Sequence, residues 1–172
     1  PVADVASNPD NQVIGSRSFG SDAGLVSQMV AREVQGMQEQ GVSASLKHFP
    51  GHGDTSEDSH AEMAVSKKTA DELRNMEFLP FKAGIEAGVD MVMIGHISVP
   101  AITGSDIPAS LSEQIITDCL REELGYQGIV VTDSMSMGAI VNTYTSADAA
   151  VRALQAGCDM LLMPQDFQAA RQ

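Results

Sequence analysis

Short apolar runs alternate along the chain with longer stretches in which apolar residues return every three or four positions. The runs read as strands buried on both faces, the longer stretches as amphipathic helices. This predicts strands at about 2–5, 43–47, 90–94, 128–132 and 159–163, and helices at 22–40, 69–87, 111–124 and 145–156. One unit recurs. "AGIEAGVDMVMIGH" (83–96) and "VRALQAGCDMLLMPQ" (151–165) share a helix, an Ala-Gly stop, an Asp-Met pair and an apolar run. "GVSASLKHF" and "GYQGIVVTDS" have the same shape. In helix 22–40, Leu25, Met29, Val30, Val34 and Met37 read as one apolar stripe. Ser110 followed by Glu113 reads as a capping box opening helix 111–124.

Strands alternating with helices imply an α/β fold with a parallel sheet and right-handed crossovers. A β/α barrel and a doubly wound open sheet both fit. Polar residues stand just past the strand C-termini: Asp4, Lys47-His48, His96, Thr132-Asp133 and Gln165. In a barrel these ends converge on one mouth, where active sites are built, whereas an open sheet spreads them along a crest. The expected fold is therefore a (β/α)8 TIM-type barrel. About five strands are visible where closure takes eight. The chain also begins at Pro1, inside an apolar segment. It is expected to be an excerpt of a longer protein, and its localisation and any C-terminal domain stay open.

Composition narrows the partners. The chain is 43% hydrophobic, enough for a core, and its formal net charge is −13. That surface repels nucleic acid and anionic membranes. No apolar run is long enough for a membrane-spanning helix. The two cysteines, Cys119 and Cys158, read as buried free thiols. Nothing in the sequence sets the oligomeric state.

The chemistry concentrates in "KHFPGHGDTSEDSH" (47–60), which holds three of the four histidines and three carboxylates. Pro50, Gly51 and Gly53 end the preceding strand and open a loop. Asp58 and His60 are two apart, so an extended backbone points both to one side, and a carboxylate beside an imidazole orients it and favours its charged form. Three readings compete: a solvated polar loop, a metal site drawing on His48, His52, Asp54, Asp58 and His60, or an acid/base site without metal. The spacing matches no common zinc motif, and Lys47 would set a positive charge beside the cation.

A nucleophile candidate stands elsewhere. In "GIVVTDSMSMGAI", Asp133 follows the buried run Ile129-Val130-Val131, where a strand end would face the mouth. A helix N-cap is the competing reading.

These segments resemble a known family. "KHFPGHGDTSEDSH" is similar, almost residue for residue, to the signature of the bacterial β-N-acetylglucosaminidases of glycoside hydrolase family 3. "VVTDSMSMGAI" resembles that family's nucleophile segment, and "PVADVASNPDNQVIGSRSFGSD" the strand and loop preceding the signature. The resemblance covers essentially the whole chain and implies that residues 1–172 are part of the family's N-terminal catalytic barrel domain. It implies Asp133 as nucleophile, His60 as proton donor and later base, and Asp58 as the group that holds His60. Lys47, His48 and Arg17 would hydrogen-bond the sugar hydroxyls; for Arg17 a surface ion pair is the alternative. His96 is expected near the site without a catalytic role. The family's upstream "DQEGG"-type segment is absent from this chain.

The implied activity is release of terminal β-linked N-acetylglucosamine with retention, acting on a small carbohydrate or muropeptide of the bacterial cell wall. No cofactor or metal is implied. A covalent glycosyl-Asp133 would form while His60 protonates the leaving oxygen; His60 would then deprotonate water. The glycines near His60 suggest that its loop swings in when substrate binds. Alternatives remain: a metal-dependent hydrolase built on the histidine-rich loop, a phosphorylase using phosphate in place of water, and a non-catalytic sugar-binding barrel.

Overall fold

The structure, a computed structural model, describes residues 1–55 and 63–171. Four parallel strands form the main sheet: β1 (Ser45–Phe49), β3 (Met91–Ile94), β5 (Ile129–Ser134) and β6 (Met160–Leu162), side by side in the order β1-β3-β5-β6. Residues 2–5, expected as a fifth strand, contribute one parallel bridge, Val2 to Lys47, beside β1. Its rungs are Ala3 N–H to Lys47 O at 2.7 Å and Lys47 N–H to Pro1 O at 3.1 Å. Spatial order thus follows chain order with no reversal, which is the winding of a β/α barrel and not of a doubly wound sheet.

The register separates two faces. Leu46, Val92 and Val130 share one row, and Ile94 pairs with Thr132 in the next; all five are fully buried. Helices α1 (Ala23–Gln38) and α3 (Phe78–Glu86) pack on this face. Gly84 permits the contact, because a Cβ there would stand 2.5 Å from Leu46 Cδ1 and 3.2 Å from Val30 Cγ1. Phe49 anchors the same layer against Phe78 and Phe81, ring centroids 5.2 and 5.1 Å away. The opposite face carries Met91 and Ile129 in one row and Met93, Val131 and Met160 in another.

Several elements depart from expectation for local reasons. In α1 the buried stripe is Val26, Val30 and Val34, while Leu25 and Met29 are exposed. The α3 contact selects one of two adjoining apolar faces. The helix expected over 69–87 is two, α2 (Ala70–Asn75) and α3. Pro80 lacks an N–H, so it fits only in a first turn, and a helix restarting at Phe78 puts it there. A true capping box lies at Thr69 and Glu72, opening α2. The expected box at Ser110 and Glu113 does not form. Helix Gln114–Glu123 is wound with wide π-type turns and no side-chain cap bond from Glu113, while Ser110 is fully buried and turned toward His96.

Short elements escape the periodicity entirely. β2 (Ala64–Val65) and β4 (Ile97–Ser98) pair in parallel, followed by α4 (Pro100–Thr103). Further on are α5 (Gly138–Val141), α6 (Ser146–Ala156) and α7 (Phe167–Arg171). Gly88 and Gly157 take left-handed conformations (φ +83° and +111°) where α3 and α6 stop, as the repeated Ala-Gly unit predicts. Cys119 and Cys158 are buried and free. Among the described residues no helix is long and apolar enough to cross a membrane.

Candidate active site

The strand register brings the predicted polar residues to one edge. Phe49 pairs with Ile94 and Ile94 with Thr132, so His48, His96 and Asp133 all lie at the C-terminal ends of adjacent strands. The Lys47–His48 and Phe49–Pro50 peptides are cis.

Asp4 is the hub of this edge and is fully buried. Its Oδ2 lies 2.7 Å from His48 Nδ1. Its Oδ1 accepts the His52 N–H at 2.8 Å and the His48 N–H at 3.2 Å. Burial alone would raise the carboxyl pKa, but the His48 charge and these hydrogen bonds outweigh it and hold the pKa below the usual range. A carboxylate can only accept, so His48 carries its proton on Nδ1 and leaves Nε2 for a ligand. The expected list of site residues left Asp4 out. Its signal was present: one carboxylate interrupts an otherwise apolar run, "PVADV".

Removing this charge has a calculable consequence. Asp4→Asn is expected to cost about 3–5 kcal/mol of stability, the range for breaking one side of a buried ion pair. A depressed carboxyl pKa stabilises the fold fully above the ordinary value of 3.8, and that contribution is lost as pH falls through the lower folded value. Denaturant unfolding from pH 7 downward should show the gap between wild type and variant closing in acid. A gap that stays constant would show that the Asp4 charge is not its source.

His96 is fully buried, with Nδ1 2.7 Å from Ser110 Oγ and Nε2 2.9 Å from the Ser134 carbonyl. Burial lowers its pKa, although the Ser134 bond and the Asp133 charge pull upward. The neutral ring therefore donates from Nε2 to Ser134 O and accepts the Ser110 hydroxyl at Nδ1. His96 follows β3, which lies between β1 with His48 and β5 with Asp133.

Asp133 is half-buried near the end of β5. Its Oδ1 accepts the Ser134 N–H at 2.7 Å. It caps no helix, since α5 starts at Gly138 after Met137. Its second oxygen makes no hydrogen bond among the described residues. Lys47 is half-buried, and its ammonium forms no ion pair among the described residues. Arg17 is exposed and donates to the Val13 carbonyl at 2.7 and 3.2 Å. No surface ion pair forms at Arg17 among the described residues, and its charge reaches His52.

Asp58 and His60 lie outside the described residues. Of the other residues in that loop, His52 is buried with Nδ1 2.6 Å from Thr55 Oγ, and burial lowers its pKa. Asp54 Oδ2 accepts the Ser66 hydroxyl at 2.7 Å. Among the described residues no three His, Cys, Asp or Glu side chains are grouped to hold a metal ion.

Residues 1–171 match the glycosyl hydrolase family 3 N terminal domain. A β-hexosaminidase of Stenotrophomonas maltophilia (strain K279a) is 42% identical over 95% of the chain, which spans 48% of that relative's length. The structure superposes on a family 3 β-N-acetylglucosaminidase from Paenibacillus sp. with TM-score 0.95 and 43% identity, covering 99% of this chain and 32% of that one. It also superposes on the β-glucoside phosphorylase BglX with TM-score 0.93 and 29% identity, covering 99% of this chain and 33% of that one. A carboxylate at one strand end, a Lys-His pair at another and a match over nearly every residue lead to one assignment: the chain belongs to glycosyl hydrolase family 3, in its N-terminal domain.

Proposed function

We propose that this domain hydrolyses terminal β-linked N-acetylglucosamine with retention of configuration, as part of a β-N-acetylhexosaminidase acting on cell-wall saccharides such as muropeptides. The observation that carries the reading is Asp133. Among the described residues, one of its carboxylate oxygens makes no hydrogen bond, at the strand-end edge where Asp4 holds the His48 ring.

Asp133 attacks the anomeric carbon. His60 gives its proton to the leaving oxygen, and the glycosidic bond breaks to leave a covalent glycosyl-Asp133. The imidazole, now neutral, takes a proton from water; the water attacks the same carbon and frees Asp133. Asp58 favours the charged imidazole of the first step. Lys47, His48 through Nε2 and Arg17 bind sugar hydroxyls. Histidine replaces the second carboxyl group of the usual retaining pair, and its near-neutral pKa suits both donation and abstraction.

The test is mass spectrometry of the full-length protein after treatment with a 5-fluoro glycosyl fluoride, which slows release of the intermediate. An adduct on Asp133 is the expected result. An adduct on another residue, or turnover with none, overturns the reading. Similarity to a phosphorylase supports a second reading in which phosphate accepts the sugar. Product analysis with and without phosphate separates the two, since only a phosphorylase yields the sugar 1-phosphate.

A further inference from the structure

In the sequence, Asp58 and His60 fall between the described residues that follow β1 and those that precede β2. These two flanks meet in a buried polar cluster that the reaction does not use. Glu77, just ahead of α3, is fully buried and lies directly under the departing flank: a Cβ on Gly51 would stand 2.5 Å from Glu77 Cγ. Glu77 Oε1 accepts from Lys68 Nζ, which belongs to the returning flank. The same ammonium lies 3.2 Å from Ser7 Oγ and 3.1 Å from Met76 Sδ. Two residues before Lys68, Ser66 Oγ donates to Asp54 Oδ2 at 2.7 Å, so returning flank and departing flank are joined a second time. Asn8 holds the departing side as well, donating its backbone N–H to Gly53 O at 3.1 Å and its amide to Thr55 O at 3.2 Å. Gly53 cannot be replaced here, because a Cβ would lie 1.8 Å from Val5 O.

The cluster is expensive. Glu77 Oε2 and Asp54 Oδ1 are buried without a hydrogen-bond partner among the described residues. Burial raises the Glu77 pKa, against the opposing pull of Lys68. Apolar residues of like volume in place of a buried ion pair are often neutral or stabilising. Fold stability therefore does not account for a fully buried carboxylate with an orphaned oxygen.

We propose that Glu77 and Lys68 are positioning residues for the acid/base step: their largely buried ion pair, backed by Asp54 and Ser66, ties together the two described flanks between which Asp58 and His60 lie in the sequence. The inference rests on the role proposed for His60. Neither side chain touches the sugar; both act through the placement of the flanks. Misplacement of a catalytic group by about 1 Å can cost on the order of 10²-fold in rate, and only the step that uses that group suffers.

The experiment uses the full-length protein with Glu77→Gln, the paired Glu77→Leu and Lys68→Met, and His60→Ala as reference. For each, kcat/KM is measured across aryl glycosides of graded leaving-group ability, alongside thermal unfolding. Both clasp variants are expected to lose at least about tenfold more on the poorest leaving group than on the best, in the direction shown by His60→Ala. Where Glu77→Gln fails to fold, the apolar pair supplies the same readout. A loss equal across leaving groups, or none, in folded clasp variants overturns the inference while leaving the His60 role intact. A flat response in His60→Ala itself overturns that role and this inference with it.

Discussion

Asp133→Ala is expected to reduce turnover of every β-glycoside to background, whatever the leaving group. Removing the nucleophile of a hydrolase that works through a covalent intermediate costs on the order of 10⁴–10⁶-fold in kcat. The fold should survive the change. The Asp133 carboxylate is half-buried and bonds only the adjacent Ser134 N–H among the described residues, so its loss is worth about 1 kcal/mol. His96 still grips the Ser134 carbonyl and keeps the end of β5 in place. The vacated space gives a stronger test than loss alone. Azide entering it attacks the anomeric carbon from the nucleophile's side, so a β-glycoside with an activated leaving group should give an α-glycosyl azide. Rescue with that inverted product identifies Asp133 as nucleophile. Rescue giving the β-azide, or wild-type activity in the variant, would remove it from that role.

Asp133 was legible because its signal is local. A β-branched run, Ile129 to Thr132, followed by a carboxylate marks a strand end, and the register puts Asp133 on the same edge as His48, although Ile129 at the start of the run is exposed. Asp4 was only half legible. The apolar run placed it at a strand end, but its three hydrogen bonds go to residues 44 and 48 positions away, which no local pattern reports. Ser110 shows the reverse error. Its spacing to Glu113 fits a capping box, yet burial at His96 took the hydroxyl, and Ser112 Oγ stands 3.4 Å from the Ile115 N–H instead. Capping is a local preference worth about 1 kcal/mol, and a buried imidazole nitrogen left without a partner costs as much or more.

The helices divide in the same way. The Ala-Gly stops were readable because left-handed backbone selects glycine wherever it occurs. The restart ahead of Pro80 was readable in principle from the proline alone. The buried face of α1 was not. Leu25 and Met29 adjoin Val26 and Val30 on the helix surface, and only the contact with Gly84 and Leu46 decides which pair is covered. The two-residue strands β2 and β4 are too short to show any period.

His60→Ala should behave differently from Asp133→Ala, and the difference lies in what each step asks of the imidazole. With a poor leaving group the departing oxygen must be protonated as the bond breaks, so the loss should reach about 10²–10⁴-fold. A strongly activated aryl oxygen leaves as the anion and needs no proton, so formation of the glycosyl-Asp133 should be nearly unimpaired. The second step still lacks its base. Water attacks slowly, the intermediate accumulates, and rapid mixing should reveal a burst of aryl release before a slow steady state. Asp58→Asn removes the charge proposed to favour the protonated form of His60, so it should show the same leaving-group trend more weakly. Equal losses on all leaving groups, with no burst, would assign His60 to sugar binding and move proton transfer to another side chain.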